Sequence, residues 1–275
     1  MSRFATDVLG CTVPLVMAPL AHLASPELIA AVTNAGGLGT FPLHRYRPEQ
    51  TDAYLSRIRM LTPAPFMVAY TGEWERDENL DVLLQHNVSV AMVFWWNGPR
   101  LIHRLQAHGI KVGWQVGTDE QLSEATSRHA DFIVAQGLDA GGPVRSPYHV
   151  TELVQMVRHR TNIPVVAAGG INTPARAASL VPELADGIML GTRLCASDEA
   201  NSTETDKQLL CEAGSESVIL DTTLRGDWPC AYRRRITLGG DQDIPERYAN
   251  INIGEIKSVL PAGEIVKRFA AVLKP

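Results

Sequence analysis

The sequence predicts an α/β fold, a (β/α)8 TIM barrel with a short C-terminal appendage. Eight short apolar runs alternate with longer amphipathic stretches over residues 13–190. These runs lack the polar alternation of a sheet with one wet face, which is typical of parallel strands buried on both sides. Eight is the number of strands that closes such a barrel, and a chain of 275 residues suits one barrel domain. A doubly wound open sheet is the structural alternative.

The strands are predicted, in chain order, at Val13–Leu20, Gly37–Phe41, Pro65–Tyr70, Val88–Trp95, Lys111–Val116, Phe132–Gln136, Pro164–Ala168 and Gly187–Leu190. Between the strands, three helices carry start signals, namely a serine or threonine cap followed by proline or an acidic residue. These signals stand at Ser25, Thr118 and Thr173. They predict helices over Glu27–Asn34, Gln121–His129 and Ala175–Leu184.

From Ser197 onwards the alternation of strands and helices stops. Residues 198–213 form a polar helical segment, residues 218–240 favour a hairpin with a turn at Arg225–Gly226–Asp227, and Pro261–Leu273 favours a final helix. We therefore expect a barrel over residues 1–197 and an appendage over residues 198–275, packed on the barrel within the same domain.

Composition excludes several classes of partner. A net charge of −5 disfavours nucleic acid and anionic membranes. No apolar run approaches the length of a membrane-spanning helix, and no basic segment followed by an apolar run opens the chain. None of the four cysteines has the CxxC spacing of a zinc or redox motif. These features predict a cytoplasmic protein with a small-molecule substrate.

Glycines follow the last two predicted strands. One strand ends in Ala168–Gly169–Gly170 and the next in Met189–Leu190–Gly191–Thr192. Glycine lets backbone N–H groups approach a phosphate closely, and Thr192 adds a hydroxyl donor. The loops after strands seven and eight are the usual phosphate site of this fold. The pattern therefore predicts a phosphate site, with two ordinary tight turns as the alternative.

The sixth strand ends in Gln136 and continues into a loop with Gly141 and Gly142. The Gln136 amide suits the edge of a heteroaromatic ring, and the glycines would let a flat ligand lie against the backbone. Gln115, at the end of strand five, is a further ring contact or a polar lid on the barrel core. The alternative for the loop is a flexible segment with no ring partner.

Several segments together resemble the nitronate monooxygenases, formerly called 2-nitropropane dioxygenases, and their relatives the FMN-dependent enoyl-ACP reductases. The resemblance covers nearly the whole chain. It is carried by Met17–Pro19, Ser25–Leu28, Asn34–Gly39, Ala135–Gly142, Ala168–Ile171, Met189–Arg193 and Pro261–Val266.

The resemblance implies that FMN lies across the barrel mouth. It implies that Met17, Ala18 and Pro19 pass under the isoalloxazine, and that Gln136 and Gly141 contact the flavin. It also implies that Gly170, Gly191 and Thr192 hold the phosphate. The activity implied is that of an oxidoreductase with oxygen or NAD(P)H as a second substrate. A homodimer is compatible with the exposed helices of a barrel.

Two positions depart from the family pattern. The family places a histidine, its presumed base, where this chain has Pro143, and an asparagine where it has Ala69. Proline takes up no proton, so another group must act wherever a proton is removed. The candidate catalytic residues are His149 first and His22 second, each with a structural role as the alternative.

Further side chains near predicted strand ends are open to two interpretations. His44 and Tyr70 are weaker candidates for the missing base. Trp95, Trp96 and Trp114 form either an aromatic wall for an apolar substrate or ordinary barrel packing.

We expect oxidation of a nitronate or a similar stabilised carbanion. The alternatives are an FMN-dependent reductase or dehydrogenase of an enoyl or activated carbonyl substrate, and a non-catalytic flavin-binding homologue. A Schiff-base aldolase is disfavoured because no lysine ends a strand. No metal site is predicted, since no spacing demands that His22, His44, Glu73 and Asp139 converge.

Overall fold

Eight parallel strands form the barrel in the computed structural model, which describes residues 3–43, 46–71, 77–94, 99–222, 232–236 and 247–273. The strands are β1 (Leu15–Met17), β2 (Thr40–Leu43), β3 (Met67–Thr71), β4 (Val90–Phe94), β5 (Lys111–Val116), β6 (Phe132–Gln136), β8 (Val165–Ala168) and β9 (Gly187–Leu190). Their order is β1-β9-β8-β6-β5-β4-β3-β2. A parallel bridge between Val16 and Leu38, just before β2, joins the two ends and closes the barrel. The predicted fold class is confirmed.

Alternate residues of each strand face the barrel interior, because successive side chains point to opposite sides. The interior holds one apolar cluster, which includes Val16, Leu38, Met67, Ala69, Val90, Met92, Phe132, Val134, Val166, Ala168 and Met189. Phe4 and Leu9, from the π-helix Phe4–Leu9, join this cluster. Phe4 meets Phe132 edge-on at 6.1 Å, so the first residues of the chain plug the barrel. The opposite mouth, where the strands end, is left for the site.

Helices pack around the strands and bury the outward-facing side chains in a second, larger cluster. They are α1 (Pro26–Asn34), α2 (Pro48–Leu61), α3 (Leu80–Gln85), α4 (Pro99–Ala107), α5 (Asp119–Ser127), α6 (Val150–Arg160), α7 (Pro174–Ala178), α8 (Thr192–Cys195), α9 (Glu204–Glu212) and α10 (Ala262–Ala270). The three predicted caps are confirmed: Ser25, Thr118 and Thr173 each accept a backbone N–H three residues on.

The tail of the chain contributes to the barrel and to its rim. Helix α10 packs against α1 and α7 and contacts β1, so it completes the ring of helices. Strands β10 (Val218–Asp221) and β11 (Tyr232–Ile236) are antiparallel, as the predicted hairpin requires, although its turn lies outside the described residues. Strand β11 also pairs with β7 (Gly142–Val144) from the loop after β6. The domain boundary at residue 197 stays a prediction.

The bounds of several predicted elements are corrected; strand β1 covers only Leu15–Met17 of the predicted Val13–Leu20. Strand β2 begins at Thr40 and not at Gly37, because the N–H of Gly37 still donates to the Val32 carbonyl oxygen in the turn after α1 and Leu38 makes only an isolated bridge. Helix α7 ends at Ala178 and not at Leu184, because Pro182 lacks the N–H that a helix interior needs. None of the described helices combines the length and hydropathy that crossing a bilayer requires.

Candidate functional site

The two glycine turns predicted to bind phosphate lie side by side. Strands β8 and β9 are neighbours, with Ala168 paired to Met189. Gly169 and Gly170 follow with φ of +122° and +66°, which is backbone that glycine adopts readily. No backbone acceptor in the described part of the chain takes the N–H groups of Gly170 and Gly191, which leaves them for a ligand at the barrel mouth.

Three asparagines join both turns to the tail, and we call Asn172, Asn250 and Asn252 the asparagine clasp. Asn252 Nδ2 donates to the Gly170 carbonyl oxygen at 2.7 Å. The Asn250 N–H donates to Thr192 Oγ1 at 3.0 Å. Asn172 and Asn250 exchange two amide hydrogen bonds of 2.9 and 2.7 Å, and Asn172 Nδ2 also donates to the Asn252 carbonyl oxygen at 2.7 Å.

Two glutamines form a hydrogen-bonded row across the mouth. Gln115 Nε2 donates to Gln136 Oε1 at 3.0 Å, and Gln136 Nε2 donates to the Pro143 carbonyl oxygen at 3.3 Å. The row fixes the orientation of the Gln136 amide and leaves it capacity for one more donor and one more acceptor contact. The backbone of Pro143 therefore positions Gln136, although its side chain carries no titratable group.

The glycines of the β6 loop pack against the tail. A side chain at Gly141 would meet the Ala249 backbone at 2.6 Å, and one at Gly142, where φ is +77°, would meet the Tyr248 ring at 3.6 Å. Packing against residues 249–250 thus accounts for Gly141, and the positive φ accounts for Gly142. Their predicted contact with a flat ligand would have to be made by backbone atoms.

The other residues predicted to contact the flavin differ in which side of their strand the side chain faces. Ala168 and Met189 face the barrel interior, and Ala18 packs against that cluster. Met17 and Leu190 instead point into the layer between strands and helices, since both alternate with inward-facing neighbours. At the mouth, Met17 and Leu190 therefore offer backbone atoms only. Pro19 is partly exposed beside them.

Two weaker sequence hypotheses are corrected by the same alternation. Tyr70 and Trp114 are both buried in the layer between strands and helices. Neither faces the barrel mouth, so Tyr70 is not a base there and Trp114 is not part of an aromatic wall. His44, Trp95 and Trp96 lie outside the described residues.

His149 begins helix α6 and is held by local contacts. Its N–H donates to Glu152 Oε2 at 3.0 Å, and its ring Nδ1 lies 3.0 Å from Asp139 Oδ1. The Asp139 carboxylate also accepts from the Val150 N–H at 2.6 Å. The His149 side chain is 55% exposed, whereas that of Asp139 is 8% exposed. The pair sits next to the phosphate turn, since a side chain at Gly170 would lie 3.1 Å from Asp139 Cβ.

His22 lies in the exposed 3-10 turn Ala21–Leu23 after β1. Its carbonyl oxygen accepts from Asn201 Nδ2 at 3.1 Å. That bond positions the backbone of the turn, and the imidazole is exposed. Among the described residues, no group of three or more histidine, cysteine or acidic side chains is arranged to hold a metal ion.

The asparagine clasp was not predicted from the sequence. Its only local signal was the Asn-Ile-Asn pattern at residues 250–252, two polar side chains in an otherwise apolar stretch. The partners Asn172 and Asn250 are 78 positions apart, and no sequence spacing links them.

The matches to known proteins agree with this geometry. Residues 69–249 match the family described as nitronate monooxygenase. The nitronate monooxygenase of Pseudomonas aeruginosa is 26% identical over 269 residues, covering 80% of this chain and 77% of that protein. The 5-hydroxy-7a-methyl-1-oxo-octahydro-1H-indene-4-carboxyl-CoA dehydrogenase of Rhodococcus jostii is 27% identical over 222 residues. That match covers 80% of this chain but only 63% of the dehydrogenase.

Solved structures share the fold over almost the whole chain. A FabK variant from Thermotoga maritima has a TM-score of 0.87 and 25% identity, with 98% of this chain and 95% of that chain covered. The nitroalkane oxidase of Streptomyces ansochromogenes has a TM-score of 0.84 at 24% identity, with 98% and 97% covered, and this likeness shows the fold alone.

Proposed function

The chain belongs to the nitronate monooxygenase family, and we propose that it is an FMN-dependent oxidoreductase that oxidises a nitronate or a similarly stabilised small carbanion. The observation that carries the proposal is the pair of glycine turns, Gly169–Gly170 and Gly191–Thr192, side by side at the strand ends. Oxygen is the proposed second substrate.

The residues at the mouth fit FMN. The free N–H groups of Gly170 and Gly191 and the Thr192 hydroxyl would hold its phosphate. Gln115 and Gln136 would meet polar edges of the flavin ring, beside Ala18 and Pro19. The remaining predicted contacts are backbone contacts or wall contacts from Met17, Gly141, Gly142, Ala168, Gly169, Met189 and Leu190. When bound, FMN supplies the electron-accepting chemistry of the reaction.

The residue at position 143 indicates which protonation state of the substrate this protein would use. A nitronate has already lost its carbon-bound proton, whereas a neutral nitroalkane needs a base to remove it. Pro143 provides a carbonyl oxygen to Gln136 and no proton acceptor of its own. We therefore infer that the chain binds a substrate that is already deprotonated in solution.

We expect turnover of an alkyl nitronate at least about 100-fold faster than turnover of the same nitroalkane in its neutral form, since a positioned base contributes on the order of 10²–10⁴-fold. Oxygen consumption with each form, measured before the neutral form ionises, checks this. The Pro143→His variant keeps the carbonyl oxygen and adds an imidazole, so we expect it to raise turnover of the neutral form about tenfold or more. Equal rates on both forms with the unaltered protein would contradict the proposed chemistry.

The two histidines proposed as catalytic candidates have a direct test. We expect His149→Ala and His22→Ala to keep nitronate turnover within about threefold, because a nitronate needs no base. His149→Ala should lower the free energy of unfolding by about 1 kcal/mol, the usual net contribution of one hydrogen bond, through loss of its contact with Asp139. His22→Ala is the exposed control and should change stability little. A loss above about 100-fold in kcat on the neutral nitroalkane, with flavin still bound and nitronate turnover kept, would make that histidine the base.

A second candidate function is reduction or dehydrogenation of an enoyl or activated carbonyl substrate. It is favoured by the 27% identity to the Rhodococcus jostii dehydrogenase. Anaerobic mixing with NAD(P)H separates the two, because a reductase bleaches its flavin under these conditions. If the protein binds flavin but neither oxidises a nitronate nor reacts with NAD(P)H, the result would favour a non-catalytic flavin-binding homologue.

A further inference from the structure

The asparagine clasp makes hydrogen bonds to both phosphate turns. The atoms it binds influence the orientation of the hydrogen-bond donors in these turns. Asn172 and Asn250 are each only 4% exposed. Buried amides are costly unless they are hydrogen-bonded, and these two satisfy each other in a reciprocal pair. Asn172 and Asn250 therefore form a buried, mutually satisfied pair that joins the β8 loop to the tail, with the partly exposed Asn252 beside them.

The contact with Thr192 limits the direction of its hydroxyl proton. Thr192 Oγ1 accepts the Asn250 N–H at 3.0 Å. A hydroxyl has one proton and two lone pairs, so with one lone pair engaged its proton must be donated elsewhere. A phosphate oxygen at this turn would receive it.

The contact with Gly170 fixes a peptide plane. Asn252 Nδ2 holds the Gly170 carbonyl oxygen at 2.7 Å. In a trans peptide the carbonyl and the following N–H point in opposite directions. Asn252 therefore turns the Ile171 N–H away from the tail, and Asn172 holds the Asn252 carbonyl in turn.

We propose that Asn172, Asn250 and Asn252 are positioning residues that select a phosphorylated flavin over an unphosphorylated one. This rests on the proposed function, since the phosphate in question is that of FMN. The clasp makes the tail part of cofactor recognition: it orients the Ile171 N–H, which follows Gly170 in the first turn, and the Thr192 hydroxyl. It would leave contacts to the ring unchanged.

The test compares FMN with riboflavin, which lacks the phosphate. The affinity of the flavin-free protein for each is measured by quenching of flavin fluorescence. We expect Asn172→Leu and Asn252→Ala to weaken FMN binding about tenfold, the loss of one or two charge-assisted hydrogen bonds. Riboflavin binding should change by less than about twofold, because the ring contacts are elsewhere. Asn34→Leu removes an exposed asparagine bonded to the Leu61 carbonyl and is the matched control.

The outcomes are separable. If the unaltered protein binds neither flavin, the proposed function fails. If it binds FMN and both clasp variants weaken FMN and riboflavin equally, the clasp only supports the fold and the inference is overturned. Asn252 is partly exposed, so Asn252→Ala keeps the test decisive even if Asn172→Leu fails to fold. The Asn172→Leu/Asn250→Leu double variant should be more stable than Asn172→Leu alone, because neither amide of the pair is left buried without its partner. Its preference for FMN over riboflavin should still be lost.

Discussion

Replacing Gly170 by valine is expected to reduce FMN affinity by about 100-fold or more, a free-energy change of about 2.7 kcal/mol. Gly170 has φ of +66°, a conformation in which a β-branched residue is a strong outlier. An added Cβ would also lie 2.9 Å from Asn252 Nδ2 and 3.1 Å from Asp139 Cβ. The turn must move, and its N–H groups then leave the position in which the phosphate would be held.

The control for this variant is Gly109→Val. Gly109 has φ of +74°, and an added Cβ there meets no atom within 4 Å. Both variants carry the same left-handed strain, of roughly 1–2 kcal/mol, but only one disturbs the site. Fluorescence titration gives the affinity and chemical denaturation gives the stability. If Gly170→Val is destabilised no more than Gly109→Val and still binds FMN normally, this turn does not hold the phosphate.

The barrel was predictable because its strands are buried on both faces. For Lys111–Val116, Phe132–Gln136 and Gly187–Leu190, the predicted and observed bounds coincide. In these strands the local sequence preference and the buried environment both favour apolar residues. The glycine turn after β8 was predictable for a related reason, since glycine adopts the backbone of Gly169 and Gly170 readily; its binding of phosphate stays a prediction.

The rest of the site depends on contacts that no local pattern encodes. Strand β7, Gly142–Val144, contains glycine and proline, which are depleted in strands, and its partner β11 lies some 90 positions further on. The asparagine clasp likewise joins segments far apart in sequence. The directions of the Met17 and Leu190 side chains were also not predicted. In a short strand, pairing with the neighbouring strands determines which residues face the barrel interior and which face the helices.

The barrel interior below the site should be intolerant of even one added carbon. In β5, Gly113 faces Phe132 of β6, and an added Cβ would lie 2.1 Å from Phe132 Cζ and 2.2 Å from Cε2. Phe132 is fully buried, and its strand is paired on both sides, so neither ring nor backbone has room to retreat. We expect Gly113→Ala to lower the free energy of unfolding by about 3 kcal/mol, at the upper end of overpacking costs.

The same substitution should reach the site, because Gly113 and Gln115 are successive inward positions of one strand. A shift of β5 would move Gln115 away from Gln136, which it contacts at 3.0 Å, and so perturb the absorption spectrum of bound flavin. Phe132→Leu makes room for the added methyl group. The double variant should therefore be more stable than the two single changes predict by about 1–3 kcal/mol, as measured in a double-mutant cycle. If the two changes in unfolding free energy were strictly additive, the barrel would relax elsewhere. The Phe132 ring would then not be the reason that position 113 needs glycine.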